Sequence, residues 1–76
     1  MRGMETIDTV ENGTIAVKVR KLRTTRGLYQ RELAARCRVS TQTIKNLEAA
    51  RYVASLDTLR AVARALGVTV GDLRHR

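Results

Sequence analysis

Residues 30–49 contain two groups of apolar side chains at helical spacing, separated by a segment too short for anything but a tight turn. The apolar residues of this pattern are Leu33, Ala34, Cys37, Val39, Ile44 and Leu47. Ala34 is small where two steeply crossing helices would come closest, and Val39 would fill the corner between them. The pattern predicts two short helices, at about residues 30–37 and 41–49, packed across each other.

The second of these helices combines a good start signal with a polar outer face. Ser40 precedes it and can accept a hydrogen bond from the backbone N–H of Gln42 or Thr43. The outward-facing residues are Thr41, Gln42, Lys45 and Asn46. Their hydroxyl, amide and ammonium groups can bond to base edges or phosphates in a major groove, so the segment is interpreted as a helix-turn-helix.

The charge of the chain is strongly basic and unevenly distributed. Lys and Arg number 15 against 7 acidic residues, a net charge of +8. Residues 1–14 carry a net −2, whereas residues 15–76 carry +10. A basic helical domain favours a polyanion by releasing condensed counterions. A membrane is not the expected partner, because no helix has a Trp/Phe/Leu-rich face to insert.

The length and composition of the chain limit the other classes of protein to which it could belong. At 76 residues without Phe, Trp or Pro, the chain is expected to form one domain with a thin aliphatic core, which oligomerisation would help. A single cysteine excludes an internal disulfide, and Cys37 is expected to act as a small hydrophobic residue. No signal peptide or membrane span is recognisable, so a cytoplasmic protein is expected. The only histidine, His75, has no partners for a metal site or a catalytic triad, so no enzyme, metal or cofactor is predicted.

The N-terminal region admits two interpretations. Residues 1–13 end in Asn12-Gly13, a strong turn dipeptide that a small hairpin could surround. Alternatively, a flexible or weakly structured acidic arm precedes a helix with Thr14 as its N-cap. The second interpretation is preferred, because apolar residues keep a helical spacing after residue 14. It divides the chain into an arm, 1–13, and a DNA-binding domain, 14–76.

Three further helices complete the prediction. Gly27 ends the first helix, Ser55 caps the fourth, and Gly67 closes it. The predicted buried stripe of the fourth helix is Leu56, Leu59, Val62, Ala63 and Leu66. Thr69 and Asp72 are spaced like a capping box for a short fifth helix. The expected fold class is therefore all-α, with five short helices.

From residue 19 to residue 73 the chain resembles the helix-turn-helix domain of phage repressors and Cro proteins, the lambda-repressor-like or XRE-like family. The matching segments are Leu22-Arg23, Arg26-Gly27-Leu28-Tyr29-Gln30, Glu32-Leu33-Ala34, Val39-Ser40, Thr43-Ile44, Leu47-Glu48, Ser55-Leu56-Asp57-Thr58-Leu59 and Ala65-Leu66-Gly67-Val68. Together these segments are highly specific, although each alone would be weak.

The resemblance implies a role for each matching position. The residues expected to contact bases are Thr41, Gln42, Lys45 and Asn46. The residues expected to contact phosphates are Gln30, Arg23, Thr43 and Arg51. Gln30 would also support the recognition helix, and Arg23 would pair with a partly buried Glu48. The structural positions of the motif are Leu33, Ala34, Cys37, Val39, Ser40, Ile44, Leu47 and Glu48, and relatives often dimerise at Val68, Val70 and Leu73.

The chain departs from the family pattern at three places. Arg38 occupies a turn position where glycine is usual, so either it adopts a left-handed conformation at a cost of about 1 kcal/mol or the turn differs. Tyr29 replaces the Ser or Thr that commonly caps the second helix. Ala50 and Ala54 replace Gly and Pro in the loop that follows the recognition helix, so that loop is expected to differ.

The function implied is that of a sequence-specific, double-stranded DNA-binding transcriptional regulator of the repressor type, acting as a homodimer. An alternative is an antitoxin or adaptor that uses the same fold to bind another protein, with the acidic arm as a possible contact. RNA is less favoured, because the chain has no aromatic platform for stacking splayed bases.

Overall fold

The structure, a computed structural model, describes residues 9–74. It contains five helices within that range: α1 (Thr9–Thr25), α2 (Gln30–Cys37), α3 (Thr41–Glu48), α4 (Leu56–Leu66) and α5 (Val70–Arg74). The described residues form no strand. The predicted all-α class, the count of five helices and the bounds of the helix-turn-helix pair are confirmed to within one residue.

The start of the first helix was predicted wrongly. Helix α1 begins at Thr9 rather than after Thr14, so Asn12 and Gly13 lie inside a helix and neither the hairpin nor an arm extending to residue 13 is correct. Residues 1–8, which hold the rest of the predicted arm, lie outside the described residues. Tertiary contacts override the local turn preference here: the buried Asn12 side chain bonds to the loop after α3, and Glu11 pairs with Arg74 of α5.

The predicted caps form at three helix starts. The Ser40 Oγ accepts the backbone N–H of Thr43 at 3.1 Å, which starts α3. The Ser55 Oγ likewise accepts the N–H of Thr58 at 3.1 Å, which starts α4. At α5, Thr69 and Asp72 exchange two hydrogen bonds of 3.0 Å each. These bonds satisfy backbone N–H groups that a helix start would otherwise leave without partners.

The core lies where α2 packs against both α3 and α4 while α1 crosses α3 and α5. Its fully buried large side chains are Ile15, Val19, Leu33, Ile44, Leu47, Leu59, Val62, Leu66 and Leu73. Leu56, predicted to be buried, is 39% exposed, because it is the first residue of α4 and precedes the turn that contacts the core. The aliphatic core therefore holds α3 by one face and leaves its other face to solvent.

Candidate nucleic-acid interface

Helix α3 presents a polar face opposite a fully buried apolar one. Ile44 and Leu47 have no exposed surface and fix the rotation of the helix about its axis. On the other face, Gln42 and Lys45 are exposed, whereas Thr41 and Asn46 are half-buried. The four residues predicted to contact bases thus lie together on the accessible part of one helix.

Two of these side chains are bonded to each other. The Gln42 Nε2 donates a hydrogen bond to the Asn46 Oδ1 at 3.0 Å, one helical turn away. This bond uses the amide nitrogen of Gln42 and the carbonyl oxygen of Asn46. The carbonyl oxygen of Gln42 and the amide nitrogen of Asn46 take no part in it. An acceptor and a donor presented side by side can match the edge of an adenine.

The start of α3 holds the predicted phosphate contact Thr43 close to its cap. The hydroxyl groups of Ser40 and Thr43 lie 2.9 Å apart, and Thr43 is half-buried. At the other end, Arg51 is exposed, and its backbone N–H donates to the carbonyl of Asn46 at 2.9 Å. Hydroxyl groups therefore lie at the start of α3, and a guanidinium group lies shortly after its end.

A buried ion pair clamps the C-terminal end of α3 to α1. The Arg23 Nε and Nη2 donate to the two carboxylate oxygens of Glu48 at 2.6 and 3.0 Å, and Nη1 donates to the carbonyl of Leu28 at 2.7 Å. The two charged side chains are only 11% and 4% exposed. Such a bidentate pair is geometrically demanding and fixes the position of the groups that it joins.

This geometry confirms the predicted pairing of Arg23 with Glu48. The Arg23 guanidinium is mostly buried and bonds to Glu48 and to a backbone carbonyl, so it supports α3, while its predicted phosphate contact stays a prediction. Gln30 shares the support: its Nε2 donates to the Glu48 Oε1 at 3.1 Å. Gln30 is half-buried at the first turn of α2, where backbone N–H groups are well suited to an anion.

Two residues that are not glycine, one on each side of α3, adopt left-handed backbone conformations. Arg38 has φ 59°, so the turn keeps the conformation that glycine usually provides. Ala50, the second residue after α3, has φ 57°. Tyr29, as expected, supplies no side-chain cap to α2, although its own N–H donates to Glu32 at 2.7 Å. Arg38 thus takes the left-handed alternative of the two predicted for it, and both Arg38 and Ala50 hold a conformation that is strained for a residue with a Cβ atom.

Sequence reasoning missed a contact between α1 and the end of the recognition helix. Asn12 is 7% exposed and donates from its Nδ2 to the carbonyl of Ala50 at 3.2 Å. Its Oδ1 is buried without a hydrogen-bond partner among the described atoms. No local sequence signal marks this contact, because Asn12 is polar and Ala50 lies 38 positions away.

The residues predicted to form a dimer interface separate into two groups. Val68 and Val70 are half-buried and keep some surface available. Leu73 is fully buried in the core of its own chain, so its predicted place in a dimer contact is wrong. The short helix α5 turns Leu73 inward because Lys18 donates to the Asp72 carbonyl at 2.9 Å and Glu11 binds Arg74 at 2.6 Å, both from α1.

Within residues 9–74, Cys37 and the other possible metal ligands show no arrangement of a reactive or metal-binding site. The Cys37 thiol is 6% exposed, and burial raises its pKa, which disfavours the reactive thiolate. Between residues 9 and 74 there is no group of His, Cys, Asp and Glu that could hold a metal ion. In the same range no helix is both long and apolar enough to cross a membrane.

Together the fold and the polar face of α3 define a helix-turn-helix module. The sequence profile of the helix-turn-helix family matches residues 19–73, which is most of the chain. The chain therefore belongs to the helix-turn-helix family of the phage repressor and Cro (XRE-like) type.

Sequence relatives in this family are regulators of transcription. The chain is 38% identical over 56 residues to the HTH-type transcriptional regulator DdrOP3 of Deinococcus deserti, covering 74% of this chain and 43% of the relative. It is 39% identical over 60 residues to the immunity repressor protein of Bacillus phage phi105, covering 79% of this chain and 42% of the relative. The chain thus spans less than half the length of these relatives.

Solved structures with the same fold point the same way. The clp gene regulator ClgR from Corynebacterium glutamicum superposes with a TM-score of 0.78 at 34% identity, over 82% of this chain and 66% of that one. A hypothetical transcription factor, NHTF from Neisseria, superposes with a TM-score of 0.83 at 26% identity, over 99% and 87%. Both structures are thus of proteins named as a gene regulator or a transcription factor.

Proposed function

We propose that this chain binds double-stranded DNA in a sequence-specific manner and regulates transcription as a repressor, with α3 in the major groove. The observation that carries the proposal is the polar face of α3, exposed at Gln42 and Lys45 while Ile44 and Leu47 fix the helix from behind. Family membership and the regulators among its relatives support the same conclusion.

The proposed contacts divide into two kinds. Gln42, positioned by Asn46, bonds an adenine; Thr41 contacts a neighbouring base pair, and Lys45 bonds a guanine or a phosphate. Gln30, Thr43 and Arg51 bind phosphates and set the orientation of α3 on the duplex. The excess of basic charge over residues 15–76 adds a salt-dependent attraction for any duplex.

The proposal includes a homodimer on an operator with approximate two-fold symmetry. One short recognition helix contacts only a few base pairs, so two copies on half-sites about 34 Å apart are needed for useful specificity. Val68 and Val70 supply apolar surface for the contact between copies, beside a cleft of about 350 Å³ lined by Lys18, Lys21, Leu22, Val68 and Asp72.

Binding of labelled duplexes at rising salt concentration tests the proposal. We expect one sequence class to keep its affinity in excess random DNA, while binding to random duplexes disappears as salt rises. Weak, sequence-independent retention at every salt concentration would instead indicate that the fold serves only protein contacts, as an antitoxin or adaptor would.

A further inference from the structure

A cavity between α2 and α4 lies outside the proposed DNA interface. It has a volume of about 430 Å³ and is lined by Arg36, Cys37, Arg38, Ala61, Arg64 and Ala65. None of the residues assigned to base or phosphate contacts lines it. Arg36 lies near the C-terminal end of α2, six residues after Gln30, which corresponds to about 9 Å along the helix.

The rim of this cavity is strongly basic and uncompensated. Arg36, Arg38 and Arg64 are all exposed, and no acidic residue lines the cavity. Within residues 9–74 no carboxylate forms an ion pair with any of the three. Three arginines line one cavity, so like charges are gathered there, and an incoming carboxylate would offset their mutual repulsion.

The backbone of Arg38 supplies a second, independent observation. This residue holds φ 59°, a conformation in which glycine would be less strained, yet it carries a long charged side chain that lines the cavity. This conformation ends α2 and leaves the long Arg38 side chain at the edge of the cavity.

The floor of the cavity limits the kind of partner. Cys37, Ala61 and Ala65 make it small and apolar, and it offers no aromatic ring on which a nucleotide base could stack. An apolar floor surrounded by arginines has the composition of a protein–protein contact, in which arginine is enriched. The combination fits an aliphatic side chain flanked by carboxylates.

We propose that this cavity is a docking site for an acidic segment of a partner protein, with one aliphatic side chain on the floor and flanking Asp or Glu carboxylates on Arg36, Arg38 and Arg64. The site is separate from the polar face of α3, so its occupancy does not depend on the proposed DNA binding. The failure of either proposal would leave the other standing.

Nuclear magnetic resonance titration of the full chain with a synthetic peptide of alternating Glu and Leu residues tests the site. We expect amide shifts confined to residues 36–38 and 61–65, and no such shifts with a peptide in which Gln replaces Glu. The variants Arg36→Ala, Arg64→Ala and Arg38→Gly should each weaken binding by about five-fold or more. Arg20→Ala, which removes an exposed charge from α1, is the matched control and should leave the affinity unchanged.

Several outcomes would overturn the proposal. Two results would show that the peptide is attracted to positive charge in general. One is amide shifts centred on residues 41–51, and the other is an equal loss of peptide affinity in Arg20→Ala and in the three cavity variants. Shifts at the cavity with pyrophosphate but not with the peptide would assign it to a small anion. Shifts at residues 61–65 on adding a random duplex would assign it to DNA. Because Arg38→Gly relieves backbone strain, its loss of peptide binding cannot be attributed to unfolding.

Discussion

The Asn12 side chain donates a hydrogen bond to the carbonyl of Ala50 and so joins the first helix to the loop that follows α3. The two residues are 38 positions apart, and the bond is 3.2 Å long. Ala50 holds a left-handed conformation, and the Asn12 amide stabilises the carbonyl of that strained residue. The position of the recognition helix therefore depends on a part of α1 that precedes the family match at residue 19.

Two replacements of Asn12 should lower the free energy of unfolding by different amounts, depending on the group that each places against the Ala50 carbonyl. Asn12→Ala removes one hydrogen bond and should lower the free energy of unfolding by about 1 kcal/mol. Asn12→Asp is nearly isosteric but places a carboxylate against the Ala50 carbonyl in a buried position, so the loss should be about 2 kcal/mol or more. Urea denaturation of both variants measures the order. Equal losses would mean that the amide does not bond to Ala50.

Substitutions of Arg23 and Glu48 should have non-additive effects on the free energy of unfolding. Glu48→Ala leaves a buried guanidinium without its partner and should lower the free energy of unfolding by about 3 kcal/mol. The double variant Arg23→Met with Glu48→Met removes both charges and should be less destabilised than the sum of the single Met variants. Gln30→Ala, which loses one bond to the same carboxylate, is the milder comparison, at about 1 kcal/mol. Additive losses would show that the pair contributes little coupling.

Glycine at the strained turn should stabilise the chain. Arg38→Gly relieves the left-handed conformation and should raise the free energy of unfolding by up to about 1 kcal/mol. Ala50→Gly should act in the same direction for the same reason. Arg38→Ala removes the same charge but keeps the Cβ atom, so it should give no such gain. Thermal unfolding of the three variants checks this, and a gain in Arg38→Ala equal to that in Arg38→Gly would attribute the effect to charge.

The start of α5 should depend on pH through Asp72. The backbone N–H of Thr69 is the main group that lowers the pKa of the Asp72 carboxyl from its ordinary value of 3.8. Because the pKa is lower in the folded state, the stabilisation is fully present above 3.8 and is lost as the pH falls through the folded-state value. We expect Asp72→Asn to lower the melting temperature at pH 7, and the difference from the natural sequence to shrink at acid pH. A difference that stays constant with pH would contradict this assignment.

Most of the fold could be predicted because local signals and apolar spacing agreed. Ser40 and Ser55 cap helices at the predicted places, and the buried faces of α2 and α3 follow the apolar pattern. The first helix was misjudged because Asn12-Gly13 favours a turn locally, whereas the contact that keeps it helical comes from residue 50. A local sequence pattern does not show a contact between two residues that are 38 positions apart in the chain.

The site was predictable in its residue types but not in its internal bonds. The sequence indicated the polar face of α3, since the positions follow from helical periodicity. It assigned Arg23 to both a phosphate and Glu48, and the structure shows the pair with Glu48. It placed Leu73 on a surface, although five residues cannot show which face of α5 meets α1.

Selection of bound sequences from a random DNA pool, carried out with the natural chain and with Gln42→Ala, tests the central claim most directly. The account predicts enrichment of a palindromic motif with half-sites one helical turn apart. It also predicts that Gln42→Ala relaxes the preference at one position of each half-site by about 1–3 kcal/mol, whereas Arg51→Ala weakens binding to all sequences alike. No enriched motif, or an equal loss on selected and random DNA for Gln42→Ala, would contradict the assignment of α3 as the element that recognises bases.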